Sequence, residues 1–257
     1  DAWASLQHAR DRRRPGADAV LRALAADVTE LRGDRTGRPD DDACLAALAR
    51  IVPAGGQPAV VVAQRRAADG APRAMGPAGY RKARRAMALA AELRLPLVTV
   101  VDTPGAQLSA DAERGGLAGE IAGCLADLGA LPTPTLALLL GEGGSGGALA
   151  LLATDRVLCA EHASLGVIAP EGASAILHRD LDHAAELAAS QGGASWQLRA
   201  AGIVDAIVPE PRPAHEDPDG FLAALADAVA AWLPPLVAQD PAARAAARAR
   251  RLRGLGG

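Results

Sequence analysis

Leu138-Leu-Leu-Gly-Glu-Gly-Gly-Ser-Gly-Gly-Ala-Leu-Ala150 is the stretch from which the rest of the chain is read. A short apolar run enters a cluster of five glycines and leaves as an Ala/Leu segment. The run suits a buried strand, the glycines a turn, and the segment that follows a helix expected to reach residue 153. A turn of this kind exposes backbone N–H groups at a helix start, where negative charge is stabilised. Glycine also lets a ligand approach the backbone with no Cβ between them. Four readings compete. A phosphate loop lacks its Gly-Lys-Ser/Thr ending. Gly143, Ser145 and Gly147 fit the G-x-S-x-G elbow of a serine hydrolase, which also needs a histidine and an acid; His162, His178, His183 and His215 are candidates outside any motif. An oxyanion hole of backbone amides needs no side-chain nucleophile. Tight helix–strand packing needs no ligand at all.

Outward from this turn the same theme repeats. Residues 59–63, 97–101 and 135–140 are short apolar runs that suit strands covered on both faces. Residues 156–158, 164–168 and 206–208 read as further short strands. Tyr80, Ala83, Met87 and Ala90 share one helical face, as do Leu117, Ile121, Cys124 and Leu128. Val20, Leu21, Leu24 and Val28 predict a helix over residues 18–31. Phe221, Leu225, Val229 and Trp232 predict another, stopped by Pro234 and Pro235, and residues 242–253 form an Ala/Arg helix. Alternating strand, loop and helix argue for an α/β fold.

Two more segments are candidates for a site. Val100-Val-Asp-Thr-Pro-Gly-Ala106 places Asp102 at a strand end before Pro104 and Gly105, either to orient a loop or ligand or as an ordinary turn cap. Leu165-Gly-Val-Ile-Ala-Pro-Glu-Gly172 ends a strand on Pro170, Glu171 and Gly172, where Glu171 suits the start of a helix.

The 257 residues are half apolar, enough for one large domain or two small ones, but only 2% aromatic. The core must therefore pack on Ala, Val, Leu and Ile. A net charge of −3 carries no general bias toward nucleic acid or membrane. Cys44, Cys124 and Cys159 form no C-x-x-C pair, so neither a zinc ribbon nor a redox motif is present, and they read as reduced core thiols of a cytoplasmic protein. No run of 18 apolar residues occurs, and no membrane insertion is expected. The sequence opens on Asp1 and not Met, as expected where the start lies upstream or the chain is a piece of a longer one.

Taken in order, these segments resemble one family, the alpha subunit of bacterial acetyl-CoA carboxylase carboxyltransferase. The resemblance runs through Leu6-Gln-His-Ala-Arg10, Arg14-Pro15, Glu30-Leu-Arg-Gly-Asp-Arg35, Gly79-Tyr-Arg-Lys-Ala83, Val101-Asp-Thr-Pro-Gly-Ala106, Gly141-Glu-Gly-Gly-Ser-Gly-Gly-Ala-Leu-Ala150, Pro170-Glu-Gly172, Ile207-Val-Pro-Glu-Pro211 and the Arg-rich tail. It implies a crotonase-like ββα spiral with helical N- and C-terminal extensions. The whole chain, residues 1–257, would be a single carboxyltransferase alpha-type domain. Its parts would be an extension to about residue 50, a core to about 210 and C-terminal helices beyond.

The implied reaction moves a carboxyl group from carboxybiotin, held on a separate carrier protein, to an acyl-CoA, giving malonyl-CoA from acetyl-CoA. The implied partners are a zinc-ribbon beta-type half carrying the acyl-CoA site, the biotin carboxyl carrier protein and biotin carboxylase. The expected assembly is a hetero-oligomer such as α2β2, with no metal in this chain and no nucleic acid. The biotin oxyanion donors fall on the N–H groups of Gly147 and Ala148 with Gly146 as neighbour, and losing one such donor typically costs about 10²–10³ in rate. Gly143, Gly144, Ser145, Asp102, Pro104, Gly105, Pro170, Glu171 and Gly172 would surround biotin or substrate. Arg81, Lys82, Arg84 and Arg85 are either contacts for CoA phosphates or a solvated helix face.

The chain departs from the family pattern at three places. Arg65 and Arg66 follow Gln64 where the family has Lys-Gly, Gln107-Leu108 replaces Tyr-Pro, and Glu113-Arg-Gly-Gly116 replaces Glu-Glu-Arg-Gly. These changes leave the acyl substrate open, along with a specialised carboxylase or a related decarboxylase. A serine hydrolase using Ser145 and a non-catalytic scaffold half remain as alternatives.

Overall fold

The apolar runs become the buried middle of one sheet. The computed structural model describes residues 1–37 and 39–254. Its strands are β1 (Ala25–Glu30), β2 (Cys44–Ile51), β3 (Gln57–Gln64), β4 (Leu97–Thr103), β5 (Thr135–Gly144), β6 (Arg156–Ala160), β7 (Ser164–Gly166) and β8 (Ala206–Val208). The helices are α1 (Ala2–Arg10), α2 (Ala17–Leu24), α3 (Pro77–Leu93), α4 (Ala110–Arg114), α5 (Leu117–Ala130), α6 (Ser145–Leu149), α7 (Pro170–Leu177), α8 (Ala184–Ser190), α9 (Ser195–Ala200), α10 (Pro218–Val237) and α11 (Pro241–Gly254).

The strands lie in the order β1-β2-β3-β4-β5-β6-β8. β1, β2 and β3 are antiparallel to one another in turn, and β3, β4, β5, β6 and β8 run parallel. Parallel neighbours need crossovers, and α3 and then α4 with α5 supply the first two. β5 is long enough to serve two partners. Its first half pairs with β6, and Glu142–Gly144 pair with β7. This extension carries the glycine-rich turn beyond the main sheet.

Every residue of β4 is buried, as expected of a strand covered on both faces. α3 lays Tyr80, Ala83, Met87 and Ala90 on the sheet, the face read from the sequence. On α5, Leu117, Cys124 and Leu128 are buried and Ile121 partly so. Val20 and Leu24 of α2 and Phe221, Leu225 and Val229 of α10 join the same core, with Trp232 at its edge. α10 is long and apolar enough to cross a membrane by length and composition alone, and its buried stripe belongs to this core.

Several expectations are corrected. The helix over residues 18–31 ends at Leu24, and the next residues form β1, in which Val28 is 45% exposed. The Ala-rich segment Cys44–Ile51 is a strand, although alanine favours helix. In both cases pairing across the sheet overrides local preference: Leu45 sits opposite Ala63, and Ala25 opposite Ile51. The first 50 residues are thus not only a helical extension. The helix after Gly144 stops at Leu149, well short of residue 153. β7 ends at Gly166, leaving Val167 exposed. Pro234 and Pro235 do not end α10, which continues to Val237. Two ladder hydrogen bonds are lost there, while Leu233 and Leu236 remain anchored in the core.

The arginine tail is tied to the body. Arg244 and Arg248 of α11 are buried. Arg244 donates to the Pro132 carbonyl, Arg248 to Leu131 and Thr135, and Arg251 to Ile203 and Asp205.

Candidate functional site

The glycine-rich turn and the loop after β4 are pressed together backbone to backbone. A Cβ added at Gly147 would lie 2.7 Å from the Ala106 nitrogen, and one at Gly144 would collide with the Pro104 carbonyl. Gly105 has φ +141°, a region open to glycine alone for practical purposes. Part of the turn's glycine content is therefore packing. Gly146 is different, because a Cβ there would meet only an Ile121 methyl at ordinary distance, 3.5 Å.

Gly144 caps α6, so the N–H groups of Gly146 and Gly147 have no partner within the helix. Neither bonds elsewhere among the described residues. The Ala148 N–H makes no bond to the Gly144 carbonyl either, unlike the first-turn bonds that begin the other helices. The free donors among the described residues thus run from Gly146 to Ala148 and include the Gly147–Ala148 pair implied by the resemblance.

Beside this turn lies a cleft of about 500 Å³. Pro104, Gly143, Gly144, Ser145 and Pro170 all line it, so three distant segments do converge. Gly105 packs behind the turn. Glu171 and Gly172 do not line the cleft. Glu171 accepts from Arg10 Nη1 at 2.6 Å, and Arg10 Nη2 reaches Glu142 at 2.5 Å, linking α1, β5 and α7.

Asp102 is fully buried and faces away from the cleft, toward Arg66. Burial pushes its carboxyl above the ordinary range, with the Arg66 charge pulling against that. The Arg66 fork uses all five of its donors. Two go to Asp102, and the others to the carbonyls of Ala9, Asp11 and Gly70. A Cβ at Gly141 would invade this pair. Asp102 therefore anchors the loop that follows it and is not positioned to contact a ligand. Arg66, a departure from the family pattern, has a defined structural partner here, and Lys could not make the same five bonds.

Other candidates are spent inside the chain. Lys82 is buried, with Nζ 2.9 Å from both Asp40 and the Cys44 carbonyl. Arg81 holds Asp34 and Glu120, Arg84 holds Asp127 and Glu120, and Arg85 bonds the carbonyls of Arg32 and Gly33. Each of the four thus has acceptors within the chain; Lys82 is buried, whereas Arg81, Arg84 and Arg85 stay partly exposed on a solvated helix face.

Ser145 is exposed, with the positive φ of an elbow, 50°. Among the described residues no histidine lines the cleft. His162 instead meets Ser5 at 3.1 Å and the tilted ring of His8, His8 stacks on His215, and His178 stacks on His183. The hydrolase alternative is left without a base.

Sequence reading missed Gln64, Arg10 and Glu142 as parts of this neighbourhood. Gln64 stands at the end of an apolar strand run, a position where a buried amide needs a reason. Arg10 and Glu142 stood inside matched motifs, but nothing in residue order joins Arg10 to carboxylates 132 and 161 residues away.

Comparison with known proteins follows the same lines. Residues 1–256 match the family described as acetyl co-enzyme A carboxylase carboxyltransferase-like. A probable biotin-dependent acyl-coenzyme A carboxylase beta3 subunit of Mycobacterium tuberculosis is 50% identical over 254 residues, covering 99% of this chain and 50% of that protein. The acetyl-coenzyme A carboxylase carboxyl transferase subunit alpha of Acidiphilium cryptum is 41% identical over 264 residues, covering 99% of this chain and 81% of that protein. The chain spans about half the length of the first of these relatives. Among solved structures, a Pseudomonas malonate decarboxylase hetero-tetramer with coenzyme A aligns at TM-score 0.66 and 20% identity, over 84% of this chain and 92% of that one. The transcarboxylase 12S structure aligns at TM-score 0.64 and 23% identity, over 82% of this chain and 41% of that one. These two likenesses bear out the crotonase-like fold. With a family match along almost its entire length, the chain belongs to the biotin-dependent acyl-CoA carboxyltransferases.

Proposed function

We propose that this chain is the biotin-facing, alpha-type half of an acyl-CoA carboxyltransferase, with acetyl-CoA as the acceptor and malonyl-CoA as the product. The observation that carries this reading is the run of unpartnered N–H groups from Gly146 to Ala148, held rigidly beside a cleft that no histidine lines among the described residues. Bound carboxybiotin supplies the carboxyl group and, once that group leaves, a ureido nitrogen able to take the α-proton. The chain's own part is electrostatic and positional. These amides face negative charge that grows on an oxygen during transfer, and preorganised donors are most effective where charge develops. The close fit of Gly144 and Gly147 on residues 104–106 keeps them from relaxing. The exposed half of the cleft, with Val167 and Ile168 at its rim, is left for a beta-type half that presents the acyl-CoA, fused or separate. A biotin carboxyl carrier protein and biotin carboxylase complete a cytoplasmic assembly, with an α2β2 carboxyltransferase at its centre.

The test is co-expression with a zinc-ribbon half from the same genome, followed by biotin-dependent decarboxylation of malonyl-CoA, the reverse reaction, for each half and for the pair. Turnover only in the pair is the expected result. A stable complex inert toward acetyl-, propionyl- and longer acyl-CoA esters would sink the reading. Ester hydrolysis by this chain alone, abolished in Ser145→Ala, would replace it with a hydrolase.

A further inference from the structure

Gln64 ends β3 with no exposed surface, yet its amide touches both walls of the turn. Nε2 donates to the Gly147 carbonyl at 2.8 Å, and Oε1 accepts from the Asp102 N–H at 3.2 Å. The partners define the orientation of the amide. A carbonyl only accepts and a backbone N–H only donates, so a flipped amide would lose both bonds. The Gly147 carbonyl is free for this role because α6 ends too early to use it. The N–H of Leu151, which a longer helix would have aimed at Gly147, goes to the Ala148 carbonyl instead. The bond from Gln64 therefore sets the plane of the Gly147–Ala148 peptide, which carries the free Ala148 N–H, next to the amides of Gly146 and Gly147. Its other end grips the residue that leads directly into Thr103, Pro104 and Gly105, the loop on which Gly144 and Gly147 are packed.

We infer that Gln64 is a positioning residue for carboxyl transfer, an inference that rests on the carboxyltransferase reading above. Its single amide fixes the separation of the glycine-rich turn from the loop after β4, and so the direction of the unpartnered N–H groups. The side chain must donate at one end and accept at the other across a set span. Asn is one methylene too short to reach both partners, and Met has the length but no polar group.

Gln64→Met and Gln64→Asn test this in the complex with the partner half. A small misplacement of catalytic groups costs up to about 10²-fold, so kcat is expected to fall about 10- to 100-fold, with KM for the acyl-CoA essentially unchanged. Hydrogen exchange in the same complexes should show residues 103–106 and 145–149 losing protection together while β4 and α10 keep theirs. Wild-type kcat in either variant overturns the assignment, as does exchange that rises evenly across the sheet. A wild-type pair with no turnover overturns the carboxyltransferase reading instead, and the exchange pattern then decides the Gln64 bridge by itself.

Discussion

On one side of the cleft, backbone meets backbone: Gly144 and Gly147 leave no room for a Cβ against residues 104–106, and the Arg66–Asp102 pair and Gln64 lock the arrangement from behind. On the other side, α7 and α8 stand outside the main core. Ala188 of α8 joins Ala2 and Ala194 in a small separate cluster with Trp3 beside it, and Arg10 ties Glu171 of α7 to Glu142. Ile176, Leu177 and Leu181 of this second wall are exposed. The difference teaches how one fold holds a site at two stiffnesses. Close-packed backbone has one arrangement and resists any added atom. A few alanines and a partly exposed ion pair can open at little cost.

The largest expected effect breaks the rigid wall from behind. Asp102→Leu leaves the Arg66 guanidinium buried without its counter-charge, and such losses cost about 3–5 kcal/mol. Urea unfolding of the purified chain measures it, and a change under 1 kcal/mol (roughly the worth of an exposed pair) would show that the wall does not depend on the pair. Gly144→Ala forces a methyl group into the Pro104 carbonyl, and overpacking of this kind costs about 1–3 kcal/mol. It should also abolish turnover in the pair, where a tolerated alanine would mean the two loops separate easily.

Arg10→Met probes the softer wall. Both of its ion pairs are partly exposed, so global stability should change by about 0–1 kcal/mol, yet hydrogen exchange over α7 and α8 should accelerate. Unchanged exchange there would make the two walls equally stiff. The cysteines sharpen this test. Burial pushes the thiols of Cys44 and Cys159 up to about 12, and Cys124 is raised by the same cause. A raised thiol pKa means a protonated, unreactive sulfur at pH 8, so a disulfide reagent should label none of them in the native chain. Arg10→Met should leave labelling as slow as in wild type, whereas Asp102→Leu should speed it. The smallest stability effect belongs to Gly146→Ala, within about 0.5 kcal/mol, because the methyl has room. Turnover should still fall, since the methyl sits beside the amide donors. Full activity would shift the functional amides elsewhere.

Some of this was readable from residue order. The apolar runs at β3, β4 and β5 were legible because strands buried on both faces need no partner-specific pattern, only continuous apolar character between turns. The faces of α3 and α5 were legible from their period. β1 and β2 were not, since Ala-rich segments such as Cys44-Leu-Ala-Ala-Leu-Ala49 suit a helix equally well until a neighbouring strand offers hydrogen bonds. Within the site, Gly143, Gly144, Ser145, Pro104 and Pro170 were marked by motif and do meet at the cleft. Asp102 and Glu171 were marked too, and are turned to Arg66 and Arg10.

By itself, the order of residues determined the family, the α/β class and the turn on which the proposed chemistry depends. Those follow from local composition: apolar runs, glycines that admit a tight turn, and a set of motifs too specific in combination to arise otherwise. Only the tertiary structure decided which amides are left without partners, which charges are consumed by neighbours, and that Gln64 joins the two loops. A donor is free, or a charge spent, only relative to groups that the folded chain brings within about 3 Å. Arg81, Lys82, Arg84 and Arg85 read in one dimension as either a phosphate contact or a solvated face, and in three each has an acceptor in the same chain, with only Lys82 of the four buried.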